Sequence, residues 1–433
     1  MKKSNVITVF ILILISTIIV SAQDLIPFNS DYWEIENSNN EPQEINLTTL
    51  YGKSCLRLAV GHKAWLKDST FSNFRLEMDI AGVVMPGLGF RAKDKRNYEY
   101  LYLRVMSNNR EDALQYIPVF NEGFSWQLYN YPDYEKVASF PERYSFSVPG
   151  DTKNTINGQN NEFVKELFQK GGITLSNSLK VRQTDSTNWQ VIDYEKIRIY
   201  YIRKNIDSLN IYNELDWIHI KLEVIGKNAL FYVEDMNTPQ MAINSLKHNN
   251  SFGYILLKNN FADSYYANFQ IESIDDPQEN TEYEVMDAPS VYLSKWDISD
   301  KFKRNDQNIQ GQIDSIKTYT EHWRPINSEP SGLINLSRYF EETEGSVLLK
   351  TQINSPIDKN VELLFDYAKH LIISLNSEII FSDSLRLRDN QGRVIDGEEK
   401  TNLMLEKGNN EIIFVVTSDP FKQNWGFIAK IMN

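Results

Sequence analysis

Between Phe74 and Tyr129 apolar and polar residues alternate with the period of two that a half-buried strand imposes. In Phe74-Arg-Leu-Glu-Met-Asp-Ile80, the residues Phe74, Leu76, Met78 and Ile80 fall on one face, and Arg75, Glu77 and Asp79 on the other. Gly89 and Arg91 then alternate with Leu88 and Phe90, and Tyr98, Tyr100, Tyr102 and Arg104 with Leu101, Leu103 and Val105. The pattern predicts neighbouring strands of one sheet whose polar side carries carboxylates, arginines and a tyrosine ladder. Three tyrosines on one face cannot all place their hydroxyls in a dry core cheaply, so a wet groove is expected there.

The same reading gives strands over Tyr51–Val60, Ala113–Phe120, Phe124–Tyr129, Trp217–Val224, Ala229–Glu234, Phe252–Lys258 and Tyr266–Ile274. Asn121-Glu-Gly123 and Gly226-Lys-Asn228 read as hairpin turns. From Glu142 to Glu214 the alternation breaks down. Asn161–Lys170 there places Phe163, Val164, Leu167 and Phe168 on one helical face before the stop at Gly171-Gly172, and a strand resumes over Lys196–Arg203. Residues 142–214 therefore read as an insertion. Asp275–Glu284 carries acid without a base around Pro277, which marks a linker over 276–290. Beyond it, Val291–Ile298, Ser346–Ile353, Asn360–Tyr367, His370–Leu375, Glu378–Phe381, Thr401–Leu405 and Asn410–Val416 alternate again, with turns at Asn376-Ser377 and Lys407-Gly-Asn409. The fold class is all-β: two β-sandwich domains, 23–275 and 291–433, the first with an inserted segment containing a short helix.

Lys2 and Lys3, the apolar run Val6–Val20 and the small residues Ser21-Ala22 before Gln23 read as a signal peptide over 1–22. A secreted or periplasmic protein is expected, with no membrane partner after cleavage. The net charge of −13 becomes −15 without the two leader lysines. That balance argues against nucleic acid and anionic membrane surfaces, which need basic patches. Cys55 is the single cysteine, so it has no internal disulfide partner and reads as a small buried hydrophobe.

The sequence holds no HExxH, CxxC, GxSxG or GxxxxGK, and His62, His219, His248, His322 and His370 have no ligand spacing. Gly87-Leu-Gly89-Phe-Arg-Ala92 matches the loose dinucleotide fingerprint but stands between two strands, without the helix N-terminus that would hold a pyrophosphate. Those glycines read instead as a turn and as relief of crowding on the sheet. Glu77 and Asp79 project from one face about 6–7 Å apart, a spacing used by glycosidases. They are weak catalytic candidates, because pairing with Arg91 and Arg104 across neighbouring strands would hold both ionised.

Gly89-Phe-Arg91, Tyr102-Leu-Arg104, Asp112-Ala-Leu-Gln-Tyr116, Trp126-Gln-Leu-Tyr129 and Trp217-Ile-His-Ile-Lys221 resemble the concanavalin A-like lectin/glucanase superfamily over about residues 24–275, outside the insertion. Within it the chain is most similar to laminin-G-like and keto-disaccharide-hydrolase-like (DUF1080) domains. The resemblance implies a jelly-roll sandwich of two curved sheets that binds ligand on its concave side. Glucanases of that superfamily carry Glu-x-Asp-x-x-Glu, and Gly82 stands here where the second glutamate belongs, which removes the proton donor. A structural calcium beside Asp275 and Asp276 is the only cofactor that the resemblance suggests; two adjacent carboxylates fall short of six to eight oxygens. His370–Phe381, Arg388-Asp389, Leu405–Ile412 and Trp425–Lys430 are similar to galactose-binding-like sandwiches, usually accessory, so the C-terminal domain contributes no catalytic residue.

These readings predict a carbohydrate partner held by Glu77, Asp79, Arg91, Tyr100, Tyr102, Arg104, Gln115 and Trp126. Planar rings stack on sugar C–H faces, while ionised groups hold hydroxyls by charge-assisted hydrogen bonds. Trp126 and Trp217 also read as sheet-packing residues, and Trp296, Trp323 and Trp425 as staples of the second sandwich. Two rivals stand beside the binding protein. One is a glycoside hydrolase or lyase that uses Glu77 or Asp79 with an acid the sequence does not reveal, for which the insertion is one source; the other is a structural or adhesion module.

Overall fold

A computed structural model describes residues 25–82, 84–129, 133–149, 161–184, 186–195, 198–205, 207–213, 216–274, 287–318, 323–341, 343–383, 393–418 and 425–432. The expected leader, most of the expected linker, His322, Arg388, Asp389 and the proposed calcium residues Asp275 and Asp276 lie outside them.

The fold is all-β. Its N-terminal part stacks two antiparallel sheets. The nine-stranded sheet runs in the order Gly123–Phe124, Leu114–Phe120, Asn97–Leu103, Gly87–Asp94, Tyr254–Lys258, Lys63–Leu66, Trp33–Glu36, Pro42–Gln43, with Glu135–Lys136 also on Leu114–Phe120. The seven-stranded sheet runs Met241–Ile243, Asn228–Val233, Ile218–Ile225, Phe74–Gly82, Ser264–Ser273, Lys53–Leu58, Leu47–Leu50. Along the central strands every second residue enters the core between them. Phe74, Leu76, Met78 and Ile80 meet Ile218, Ile220, Leu222 and Val224 from the same sheet and Leu88, Phe90, Leu101 and Leu103 from the other. The alternation therefore assigned inward and outward faces as expected, and Cys55 is buried.

The strands Phe74–Gly82 and Gly87–Asp94, adjacent in sequence, belong to opposite sheets. This corrects the expectation that Glu77, Asp79 and the tyrosine ladder share one sheet. Periodicity tells which side of a strand is polar; it does not tell which sheet the strand joins.

Arg143–Pro149, Leu179–Gln183, Asn188–Asp193, Arg198–Lys204 and Ser208–Asn213 form a five-stranded antiparallel sheet with the helix Asn161–Lys170 laid on it. Val164, Leu167 and Phe168 bury against Trp189, Val191, Tyr200, Ile202 and Ile211. The other side of this sheet, through Ile192, Ile199 and Tyr201, packs on Ala81, Ala267, Cys55 and Trp217, covering part of the outer face of the seven-stranded sheet. The C-terminal sandwich pairs a six-stranded and a four-stranded sheet around Trp296, Phe365, Phe414, Trp425 and Phe427. Trp323 packs outside this core, in a smaller cluster with Ile313. Asn376 and Ser377 have φ of 49° and 72°, as a two-residue hairpin turn requires. The segment 123–129 departs from expectation. Only Gly123–Phe124 is strand, and Trp126–Tyr129 is a helical turn.

Candidate functional site

The outer face of the nine-stranded sheet carries its own cluster, separate from the core: Trp65, Tyr98, Tyr100, Tyr102, Ile117, Val119 and Leu256, flanked by Met85, Phe124 and Trp126. Gly87 and Gly89 leave room for it. A methyl group at Gly87 would stand 2.6 Å from the Tyr100 ring, and one at Gly89 would overlap Leu256. The glycines thus relieve crowding as expected, but inside a strand and without forming a turn.

Over this face lies a cavity of about 400 Å³, within the range of small-molecule sites. Strands supply its floor: Lys63, Tyr98, Tyr102, Ile117 and Lys258. Segments beyond the strand ends supply the walls, chiefly Ser38, Met85, Glu122, Trp126, Asn260 and Phe261. A rigid sheet bearing variable loops is the usual way of building a binding site.

The tyrosine ladder does not line a wet groove as expected: Tyr98, Tyr100 and Tyr102 are 1%, 0% and 4% exposed, and burial is tolerated because each hydroxyl has a protein partner. Lys258 Nζ donates to Tyr98 Oη at 2.8 Å, Asn260 Nδ2 to Tyr100 Oη at 3.3 Å, and Tyr102 Oη donates to Gln115 Oε1. Tyr102 stacks on Tyr100 with ring centroids 5.3 Å apart. Burial pushes the Tyr98 and Tyr100 phenols well above their ordinary range, so both stay neutral donors.

Lys258 is the unusual group. Its Nζ lies 4.5 Å from the Phe124 ring centroid, and its strand partner is Lys63. Glu36 is taken by Lys63 at 3.7 Å, by the Trp65 indole at 2.9 Å and by Lys95. Burial, and then the like charge of Lys63, lower the Lys258 amine to about 7.

The wall carrying Phe124 and Trp126 is held from the C-terminal sandwich. Asn121 Nδ2 donates to Ser337 O at 2.7 Å, and Asn335 Nδ2 to Ser125 Oγ at 3.0 Å. Tyr129 donates its hydroxyl to Glu329, which also takes Arg338 at 2.7 Å and Lys247 at 3.7 Å. Glu329 is 8% exposed, and burial alone would raise its carboxyl, yet Arg338 and Lys247 hold it below the usual range. Arg393 reaches Glu135 at 2.9 Å, and Glu135 accepts from Gln115 at 3.2 Å. Tyr102, Gln115, Glu135 and Arg393 thus form one chain between cavity floor and second sandwich.

Of the eight residues predicted to bind ligand, Tyr102 and Trp126 line the cavity. Tyr100 packs beside Tyr98 and Tyr102, Gln115 holds the Tyr102 hydroxyl, and Arg104 sits 5.7 Å over the Trp126 ring while pairing with Asp112. Arg91 is 1% exposed. It adopts a left-handed backbone, φ 46°, and donates to Ser72 O at 2.9 Å, which makes it a structural residue away from the cavity. Glu77 and Asp79 lie on the outer face of the other sheet. Their expected pairing with Arg91 and Arg104 is replaced by His219, whose ring nitrogens stand 2.8 Å from Asp79 and 3.6 Å from Glu77. Lys53 adds an ion pair to Asp79 at 2.7 Å. Burial works against ionisation of Asp79, but hydrogen bonds from His219, Lys53 and Asn268 prevail and take it to about 2. A carboxylate held that low cannot be a general acid near neutrality. Sequence reasoning missed Lys63, Glu122, Phe124, Lys258, Asn260 and Phe261. The one available signal was Lys258 on the same strand face as Leu256.

No known family profile matches the chain, and no curated protein matches it. Among solved structures it is similar to the carbohydrate-binding module CBM66 from Bacillus subtilis, at 14% identity and TM-score 0.27, over 57% of this chain and 100% of that one. A putative glycosyl hydrolase from Parabacteroides distasonis gives 8% identity and TM-score 0.27, over 57% and 89%. An exo-β-1,3-galactanase from Phanerochaete chrysosporium gives 8% and 0.17, over 94% and 100%. Superpositions this loose carry no functional weight.

Proposed function

We propose that this chain is a secreted or periplasmic carbohydrate-binding protein whose glycan sits in the cavity on the outer face of the nine-stranded sheet. The observation that carries the reading is the composition of that cavity. Phe124, Trp126 and Phe261 offer ring surface to sugar C–H groups above a floor that includes Tyr98 and Tyr102, and Lys63, Glu122, Lys258 and Asn260 offer a few fixed polar groups. Aromatic surface supplies affinity, and sparse polar groups that are already oriented supply selectivity. The two-sheet N-terminal sandwich is also the architecture that the concanavalin A-like resemblance implies, with the ligand on one sheet face.

The test is glycan-array retention and calorimetry on the full chain without its leader, alongside Trp126→Ala and Phe124→Ala. Each substitution is expected to weaken binding at least tenfold, about 1.4 kcal/mol, with the circular dichroism spectrum unchanged. Retention of no glycan by the folded protein, or binding indifferent to both substitutions, overturns the reading. Release of reducing ends from a polysaccharide panel would favour the hydrolase rival instead.

A further inference from the structure

Lys258 has a setting that a mere hydrogen-bond donor to sugar hydroxyls does not require. A lysine made to bind hydroxyls works best as a solvated ammonium paired with a carboxylate. Here the side chain is 8% exposed and lines the cavity, no ion pair joins it to a carboxylate among the described residues, and the charge of Glu122 on the cavity wall only partly offsets its burial. Its nearest charged strand partner is another cation, Lys63. The rings of Phe124, Tyr98 and Tyr100, 4.5–5.7 Å away, return only part of the lost hydration. Desolvation together with a neighbouring cation is how proteins make an amine neutral and nucleophilic. The Tyr98 hydroxyl, 2.8 Å from Nζ, stays protonated and fixes the amine's direction.

We infer that Lys258 is a carbonyl-reactive amine that forms an imine with the open-chain aldehyde or ketone of a reducing sugar held in this cavity. The inference rests on the carbohydrate reading above and adds the substrate class, a sugar with a free carbonyl carbon. In the first step the Nζ lone pair attacks that carbon, the C=O π bond breaks, and a proton passes from nitrogen to oxygen to give a carbinolamine. The C–O bond then breaks, the second nitrogen proton leaves with the oxygen, and the products are a C=N double bond and one water. Nothing is oxidised or reduced. Tyr98 acts as a positioning residue that can relay the proton between nitrogen and oxygen.

At pH 7 an amine with a pKa of about 7 is half neutral, whereas an ordinary lysine near 10.4 is neutral roughly once in 2,500 molecules. The test is a brief incubation of the full chain with a reducing hexose and sodium cyanoborohydride at pH 5–9, followed by peptide mapping by mass spectrometry. The expected result is one hexitol adduct on Lys258, formed at least roughly a hundredfold faster than the average surface lysine at pH 7, its rate rising through a midpoint near 7. Lys258→Met should abolish the adduct, and Tyr98→Phe, which removes the hydroxyl that orients the amine, should slow it and displace the midpoint of its pH profile. The pH profile of the unmutated protein keeps the test decisive if Lys258→Met fails to fold. Labelling spread over exposed lysines with no preference for Lys258 overturns the inference. So does calorimetric binding of the hexose, sensitive to Trp126→Ala, without an adduct; that outcome leaves the carbohydrate reading intact. Absence of any sugar binding overturns both.

Discussion

Replacing Glu329 with alanine tests whether the second sandwich builds the cavity wall. Glu329 is the hub of the contact between the two sandwiches, taking Arg338 at 2.7 and 3.0 Å, Lys247 at 3.7 Å and the Tyr129 hydroxyl. Arg338 also donates to Lys247 O at 2.9 Å, so the guanidinium is tied to both domains. Without the carboxylate two cations remain in a poorly hydrated interface, and removing one partner of such a cluster costs about 3–5 kcal/mol. The damage should reach the cavity. Tyr129 ends the helical turn that begins at Trp126, and freeing Trp126 and Phe124 costs about 0.5–1.5 kcal/mol each on binding, a roughly 5- to 140-fold loss of affinity. Urea unfolding followed by tryptophan fluorescence gives the first quantity and calorimetric titration with an array-selected glycan the second. Glu341→Ala is the internal control. Its ion pair with Arg96, at 3.1 Å, is exposed on both sides, and surface pairs contribute about 0–1 kcal/mol. A Glu329→Ala protein as stable as the Glu341→Ala protein, with undiminished affinity, would refute the argument that the C-terminal sandwich holds the wall.

Gly89→Ala should destabilise by about 1–3 kcal/mol, because the added methyl overlaps Leu256 in a packed cluster, and the urea midpoint reads this directly. Tyr102→Phe should weaken glycan binding severalfold by freeing Gln115 from its partner, and calorimetry beside Trp126→Ala checks it. Asp79 is held at about 2 in the folded chain, below its ordinary value of 3.8, so its contribution is full above pH 4 and fades as pH falls through 2. The shift corresponds to about 2 kcal/mol, and Asp79→Asn should remove that part of the acid limb in a pH series of unfolding free energies. His219 is shifted upward by its hydrogen bond to Asp79, so its contribution is complete below the ordinary histidine range and is lost as pH rises through its folded pKa. An NMR titration of its ring protons should show a midpoint above that of free histidine, moving down in the Asp79→Asn protein.

Much of the fold was legible because a strand of a sandwich has one dry side. Ile218, Ile220, Leu222 and Val224 could face only inward, and all four are buried. The helix Asn161–Lys170 was equally plain, since its apolar residues recur at helical spacing and Gly171-Gly172 stops it. The sheet within 143–213 was not, because strands such as Leu179–Gln183 and Ser208–Asn213 turn only two apolar residues each to the dry face, Leu179 with Val181 and Leu209 with Ile211, too short a run to stand out. The site was half legible for a related reason. Tyr102 and Gln115 stand on consecutive strands, with Arg104 just past the first and Trp126 on the helical turn that follows the second, so local sequence gathers them. Lys63, Lys258 and Asn260 reach the same face by long-range pairing of Tyr254–Lys258 with Lys63–Leu66 and Gly87–Asp94, which no local pattern encodes. Glu77 and Asp79 misled because their chemistry is right and their sheet is wrong.

The distribution of covered and open surfaces explains why the cavity lies where it does. A two-sheet sandwich has two outer faces, and this chain treats them differently. On the seven-stranded sheet, Arg75 pairs with Glu223 and Glu272, His219 with Asp79 and Glu77, and the five-stranded sheet of the insertion covers the apolar patch around Trp217. Its charges satisfy one another, which leaves little for a ligand to pair with. On the nine-stranded sheet, Gly87 and Gly89 clear space, tyrosines fill the floor, and the walls come from loops and from a helical turn that the second sandwich holds in place. There aromatic rings stand beside a buried cation, Lys258, whose lost hydration the more distant Glu122 offsets only in part. Such a group is retained at a stability cost, since a buried lysine held near pH 7 weakens folding wherever the unfolded chain would keep it protonated. Lys258→Met should therefore raise the urea midpoint at pH 6 while removing the adduct chemistry, and a drop in stability instead would show that the amine is part of the packing rather than part of the site.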